Sequence, residues 1–195
     1  MIRLAIDSDV LPGVAGRFPL IFTYSDLVPD YAAFAARYPS SEVVLIDRGL
    51  GDPTGLASVI DVETGARAPQ DIPGWVRDKT SRDIRWLMVY CNRSNLDACR
   101  AAVRDRSVYW WVATLDGTLA IPPSMPLAGP TMVQFAGENL TGVHCDVSLV
   151  LDEHYRPSRI TGPVAGAQQD LTDLAGYLAD AGRELARVRD FIDSL

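Results

Sequence analysis

Eight short apolar runs, each bounded by turn residues, are the feature that most narrows what this chain can fold into. They are Arg3–Asp7, Leu20–Tyr24, Val43–Asp47, Ser58–Val62, Trp86–Cys91, Val108–Ala113, Met132–Ala136 and Cys145–Val150. Their Val, Ile and Leu content is nearly continuous rather than alternating, which predicts strands covered on both faces, as parallel strands are. Helical stretches are fewer: Asp30–Tyr38, Asp71–Lys79 and Ser94–Arg106, each opening on a residue suited to an N-cap. Between the third and fourth runs, RGLGDPTGLA is at or below the usual minimum for a helical crossover. The segments LDGTLAIPPSMPLAGP after the sixth run and GENLTGVH after the seventh do not look helical either.

Strands throughout, with helices only in the first two-thirds, predict an α/β chain folded as an irregular TIM-like β/α barrel that ends in strands joined by loops. An open doubly wound sheet is the competing arrangement. No G-x-G-x-x-G or G-x-x-x-x-G-K-[ST] follows any run, which counts against it. The barrel is expected over residues 1–160, followed by a Gly/Pro/Ala-rich linker at 161–170 and an amphipathic helix at 171–195. In that last segment Leu171, Leu174, Leu178, Ala181, Leu185, Val188, Ile192 and Leu195 keep the three-four spacing of a heptad seam. The helix either packs on its own barrel or forms a coiled coil that joins copies of the chain or a virion partner.

A formal net charge of −7 without a basic stripe argues against nucleic acid as a partner. The opening MIRLAIDSDV is broken by Asp7 and Asp9 too soon for a signal peptide or a membrane span. The expectation is a chain made in the cytoplasm, without a membrane partner, that is virion-associated or released to the cell wall. Cys91, Cys99 and Cys145 are odd in number and widely spaced, so they read as reduced, mostly buried thiols. His144 and His154 are too few for a His-rich metal site, and no metal or cofactor is expected. Next to Asp146, His144 reads as a strand-start histidine rather than half of a catalytic dyad.

Acids recur at the ends of these runs. Asp7 ends the first, Asp47 the third, Asp61 and Glu63 the fourth, and Asp146 opens the eighth. The C-terminal rim of a β/α barrel is where active sites form. Residues two apart on a strand share a face, so Asp61 and Glu63 belong together. Burying two carboxylates side by side raises the proton affinity of one of them. A neutral acid beside an ionised carboxylate is what glycosidic bond cleavage requires. In a closed barrel the first and eighth strands are neighbours, so Asp7 and Asp146 meet. The structural alternative is that these acids cap turns or pair with Arg48, Arg67 and Arg93. Tyr24, Tyr90 and Trp111 are candidates to line a sugar groove, with core packing as the alternative. Trp110 and Trp111 alternate, so one of them faces out of the barrel.

Taken in order, these motifs resemble the glycoside hydrolase family 25 lysozymes, the Chalaropsis-type muramidases. LAIDSD around Asp7 is similar to the family's G-I-D-x-S, and VIDVETG at Asp61 and Glu63 to its D-x-E. MVYCNRSNL around Tyr90 resembles I-Y-T-x-x-x-W, and WWVATLDG around Trp111 and Ala113 resembles W-I-A-x-Y. VQFA at Gln134 and HCDVSLV at Asp146 resemble W-Q-Y followed by V-D-x-N. The resemblance spans residues 2–150 and implies an irregular barrel whose last three strands lack helices. It further implies Glu63 as the catalytic acid, Asp61 as its assistant or as an orienter of the acetamido group, and Asp7 and Asp146 completing the cluster. Tyr24, Tyr90, Trp111, Gln134 and Asp47 are then expected against the glycan, and the substrate is peptidoglycan. The chain departs from the pattern in four places. Only 54 positions separate Asp7 from Asp61, Ala5 or Ile6 stands in place of a Gly, Ser148 replaces an Asn, and no Trp precedes Gln134. A shorter groove leaves room for a rival from another class, a non-catalytic structural or wall-attachment module assembled through Leu171–Leu195. A sugar-phosphate or nucleotide enzyme is the weakest alternative, for want of a phosphate-cradling glycine loop.

Overall fold

The computed structural model describes residues 2–9, 18–103, 108–115, 132–137 and 145–151. Its strands are β1 (Ile2–Asp7), β2 (Leu20–Tyr24), β3 (Glu42–Asp47), β4 (Val59–Val62), β5 (Leu87–Asn92), β6 (Val108–Ala113), β7 (Met132–Ala136) and β8 (Asp146–Leu151). Its helices are α1 (Tyr31–Ala35), α2 (Ile72–Ser81) and α3 (Leu96–Ala102). The strands pair in sequence order into a closed barrel. The linker at 161–170, the heptad segment at 171–195, His144 and His154 lie outside the described residues.

Seven strands run parallel, whereas β8 runs antiparallel to both β7 and β1. Apolar content alone grouped β8 with the rest, because burial on both faces does not encode direction. The reversal decides where the site forms. A parallel β8 would carry its first residue to the opposite rim, but the antiparallel register sets Asp146 directly against Asp7, the last residue of β1.

Alternation sorts the side chains into two layers. Leu20, Phe22, Val44, Ile46, Val59, Met88, Tyr90, Trp111, Met132 and Val150 fill the barrel. The Trp111 ring lies 4.7 Å from both Phe22 and Tyr90. Outside, Ile60, Val62, Val89, Cys91 and Val112 pack under Ile72 and Trp75 of α2 and Cys99 of α3. Ile6, Ile21 and Val43 pack under Tyr31 and Phe34 of α1. All three cysteines are buried thiols rather than disulfides.

Of the three helices, only α1 has a side-chain hydrogen bond at its N-cap. Asp30 accepts the Ala33 amide at 3.0 Å to start α1, and α1 gives way to a turn before Tyr38. The acid expected to open α2, Asp71, instead reaches back to the Ala68 amide at 3.0 Å. No helix covers the β3–β4 crossover. Its hub is Asp52, which accepts from Thr54 Oγ1 and the Ala57 amide, both at 3.0 Å, and from the ammonium of Lys79. Burial raises the proton affinity of Asp52, but the Lys79, Ala57 and Thr54 hydrogen bonds outweigh it, and the net shift is downward.

Lys79 is 2% exposed, so its removal would strand a buried carboxylate. Lys79→Met should destabilise the fold by about 3 kcal/mol, the usual cost of breaking one side of a buried pair. Urea denaturation measures this, with Arg85→Met as the control. The Arg85 and Asp83 side chains are 81% and 79% exposed, so losing that pair should have little effect.

Candidate active site

Asp7, Asp61, Glu63 and Asp146 converge at one mouth of the barrel. Asp61 follows Val59 of the inner layer at a two-residue step, and Glu63 follows Asp61 at another, just past the end of β4. The turn after β4 is fixed by hydrogen bonds from the Ala66 amide to Glu63 O and from the Arg67 amide to Asp61 O, both 3.1 Å.

Gln134, fully buried in β7, bridges two of the acids. Its Nε2 donates to Asp146 Oδ2 at 2.8 Å and to the Asp7 oxygens at 3.3 and 3.2 Å. Its Oε1 accepts the Tyr90 hydroxyl at 2.7 Å, which orients the amide so that its donors face the carboxylates. Below this layer Trp111 Nε1 donates to Ser148 Oγ at 2.9 Å. Gly137 sits so close that a Cβ there would lie 3.0 Å from Asp146 Oδ1. Beside it, half-exposed Leu115 holds φ +50°, a left-handed backbone that a Leu rarely adopts.

The electrostatics follow from this crowding. Burial, and then the charge of Asp146, push Asp7 well above the usual carboxylate range, against the Gln134 hydrogen bond. Burial and the Glu63 charge raise Asp61 to about 7, with Arg48 opposing. Burial and the Asp146 charge raise Glu63. Burial and the same carboxylates also push the Tyr24 and Tyr90 phenols upward. Asp61 Oδ1 is buried and has no hydrogen-bond partner among the described residues. A buried carboxyl with an empty acceptor is costly, and such positions mark sites built for a ligand or a proton.

The other expected residues divide. Gln134 and Tyr90 join the site as its floor. Trp111 is fully buried beneath them and presents no face to a sugar, so its expected place in the groove is corrected to core packing. Tyr24 stands at the rim, with one ring face covered by the Arg48 guanidinium at 4.3 Å. Asp47 is corrected outright. It belongs to the outward alternation of β3 and is engaged by Arg67 Nη2 at 3.1 Å, Trp75 Nε1 at 3.0 Å and the Gly49 amide at 2.8 Å. Gly49 makes this contact at φ +93°, a conformation that suits glycine. Asp47 therefore follows the arginine-pairing alternative. Sequence reading missed the place of Arg48 at the mouth, although its step of two from Ile46 was a usable signal.

A closed barrel of seven parallel strands and one reversed strand, with acids gathered at one rim, defines an irregular β/α barrel. Among solved structures, the fold is similar to a family GH25 lysozyme from Aspergillus fumigatus. The TM-score is 0.52 at 12% sequence identity, over 90% of this chain and 99% of that one. That likeness is one of fold. No protein-family profile matches the chain, and no curated protein matches it by sequence.

A folded-state value near 7 for Asp61 carries a stability signature. The raised group favours folding fully below its unfolded value, and that contribution is lost as pH rises through the folded value. Asp61→Asn should therefore match the unsubstituted chain near about pH 4 and exceed it by up to about 4 kcal/mol at about pH 8. Denaturant melts across that window check the sign, and a constant difference would contradict it.

Proposed function

We propose that the chain is a glycoside hydrolase that cleaves the glycan of peptidoglycan, with Glu63 as proton donor. The convergence of Asp7, Asp61, Glu63 and Asp146 on one mouth, where burial and then neighbouring carboxylates raise the proton affinities of Asp7, Asp61 and Glu63, carries this reading. The fold likeness to a lysozyme supports it.

Each acid has a role that suits its surroundings. Glu63 is the less buried member of the β4 pair and meets substrate first. With its proton affinity raised by burial and by the Asp146 charge, it delivers a proton to the glycosidic oxygen as the bond to the anomeric carbon breaks. Positive charge then grows on the sugar ring, facing the negative charge that Asp7 and Asp146 share around Gln134. Asp61, whose buried Oδ1 has no hydrogen-bond partner among the described residues, lies behind Glu63 and helps to orient the acetamido group. Water adds to the anomeric carbon, and its proton returns to the carboxylate cluster. The rival reading, a module that binds wall glycan without cutting it, is separated by the same assay.

Glu63→Gln should cut the release of reducing ends from purified cell walls by about 100-fold or more, with the fold retained by circular dichroism. Retained activity would remove Glu63 from the mechanism, and no activity in the unsubstituted chain would favour the binding module. Activity should fall as pH rises through the raised Glu63 value. Because the Asp146 charge contributes to that rise, Asp146→Asn should move the basic limb of the kcat/KM profile to lower pH. A limb that stays in place, or moves upward, would contradict the assignment.

A further inference from the structure

The mouth is acidic, and a wall glycan that carries carboxylates of its own would be repelled from it unless a cation stood at the rim. Arg48 stands there. It lies two residues beyond Ile46 on the inward alternation of β3, and it covers the ring of Tyr24, which packs on the barrel interior. Its charge is felt within the cluster, where it opposes the upward shifts of Asp61 and Tyr24.

How Arg48 is held decides what it can bind. Its Nε donates to Asp26 Oδ1 at 3.0 Å and its Nη2 to Asp26 Oδ2 at 2.7 Å. This side-on pairing leaves the Nη1 amino group and the second Nη2 hydrogen, which together form the end-on fork that matches a carboxylate with two parallel hydrogen bonds. Among the described residues only Asp26 is hydrogen-bonded to the Arg48 side chain, which is 25% exposed. Asp26 itself lies in the 3-10 turn Ser25–Leu27, which is tied to the β3–β4 loop by Ser25 Oγ donating to Gly51 O at 3.0 Å. The guanidinium is thus clamped at one edge and stacked on one face before any ligand arrives, so little freedom is lost on binding. A purely structural arginine would need the Asp26 pairing and no position beside the acids.

We infer that Arg48 is a specificity-determining residue, whose free fork binds the carboxylate of an acidic sugar seated beside Asp61. The inference rests on the glycan reading of the mouth. It adds that the preferred ring bears an ionised substituent, such as the lactyl carboxylate of a muramic acid that carries no stem peptide, rather than being neutral throughout.

Binding measured without turnover tests this. The full chain carrying Glu63→Gln is titrated calorimetrically with a tetrasaccharide of alternating N-acetylglucosamine and N-acetylmuramic acid with free lactyl carboxylates, and separately with its methyl ester. The acid form should bind roughly tenfold or more tightly than the ester, as expected for a charge-assisted bidentate contact. Adding Arg48→Met should bring the two to near parity, while Arg48→Lys should keep part of the preference. Arg48→Lys keeps the positive charge beside Asp61 but lacks the planar fork, so a preference that falls in that variant reports the bidentate contact rather than the general field of the mouth. Equal binding of acid and ester, binding of neither, or a preference that survives Arg48→Met would each overturn the inference. Should Arg48→Met fail to fold, the Arg48→Lys ratio decides: a preference undiminished in that variant also overturns it. Wall hydrolysis by the unsubstituted chain stays a separate readout. Its absence alongside an Arg48-dependent preference would sink the hydrolase reading and leave this one standing.

Discussion

The reversed strand β8 is the constraint on which the rest depends. It closes the barrel between β7 and β1 and turns its first residue toward the rim where the parallel strands end. Asp146 is thereby forced against Asp7, and the pair would be intolerable without the Gln134 amide between them. Two carboxylates held this way cannot both be freely ionised; after burial, the Asp146 charge raises Asp7 and Glu63, and the Glu63 charge raises Asp61. The chemistry proposed for the mouth follows from topology before any single residue is considered.

That arrangement is costly, and the barrel interior offsets the cost. Phe22, Tyr90 and Trp111 form a close aromatic layer directly beneath the acids, and ring contacts of this kind contribute about 0.5–1.5 kcal/mol each beyond their burial. The polar edges of that layer are satisfied, with Trp111 donating to Ser148 and Tyr90 to Gln134. The floor thus stabilises the fold and aims the Gln134 donors in one step. Substituting either aromatic would disturb both, which is why a loss of activity at Tyr90 would not by itself identify a substrate contact.

Much of this was legible in the sequence. The eight apolar runs became the eight strands to within about a residue at each end, because runs bounded by turn formers leave little choice of where a strand begins. The D-V-E spacing put Asp61 and Glu63 on one side, and barrel closure made β1 and β8 neighbours, although only the reversal of β8 sets Asp146 against Asp7. Where reading failed, both faces of a strand were buried and alternation carried no polarity signal. Asp47 sits at a strand end like Asp7 and Asp61, yet Leu45 before it faces outward while Ile46 faces inward. Nothing in VVLID says which parity is which until the helix side is known. Trp110 and Trp111 pose the same problem, and only packing shows that Trp111 is the inner one. The direction of β8 was hidden for a related reason, since the apolar pattern of a strand reads the same forwards and backwards.

The residues on the wrong parity for catalysis explain how so short a barrel holds its mouth in shape. Between β3 and β4 there is no helix to brace the crossover, and those strands share only the Ile46–Val59 and Asp47–Ile60 pairs. Two buried charge networks take over. Asp52 gathers its own loop and Lys79 of α2, while Asp47 gathers Gly49, Arg67 and Trp75. Both join the loop before β4 to the helix after it, and so flank the strand that carries Asp61. Arg67 also donates its amide to Asp61 O, which makes the connection direct. Buried ion pairs are poor sources of net stability but strict about geometry. Their placement on either side of β4, rather than at the opposite rim, is what a fold would show if the position of Asp61 and Glu63 were the quantity being held fixed.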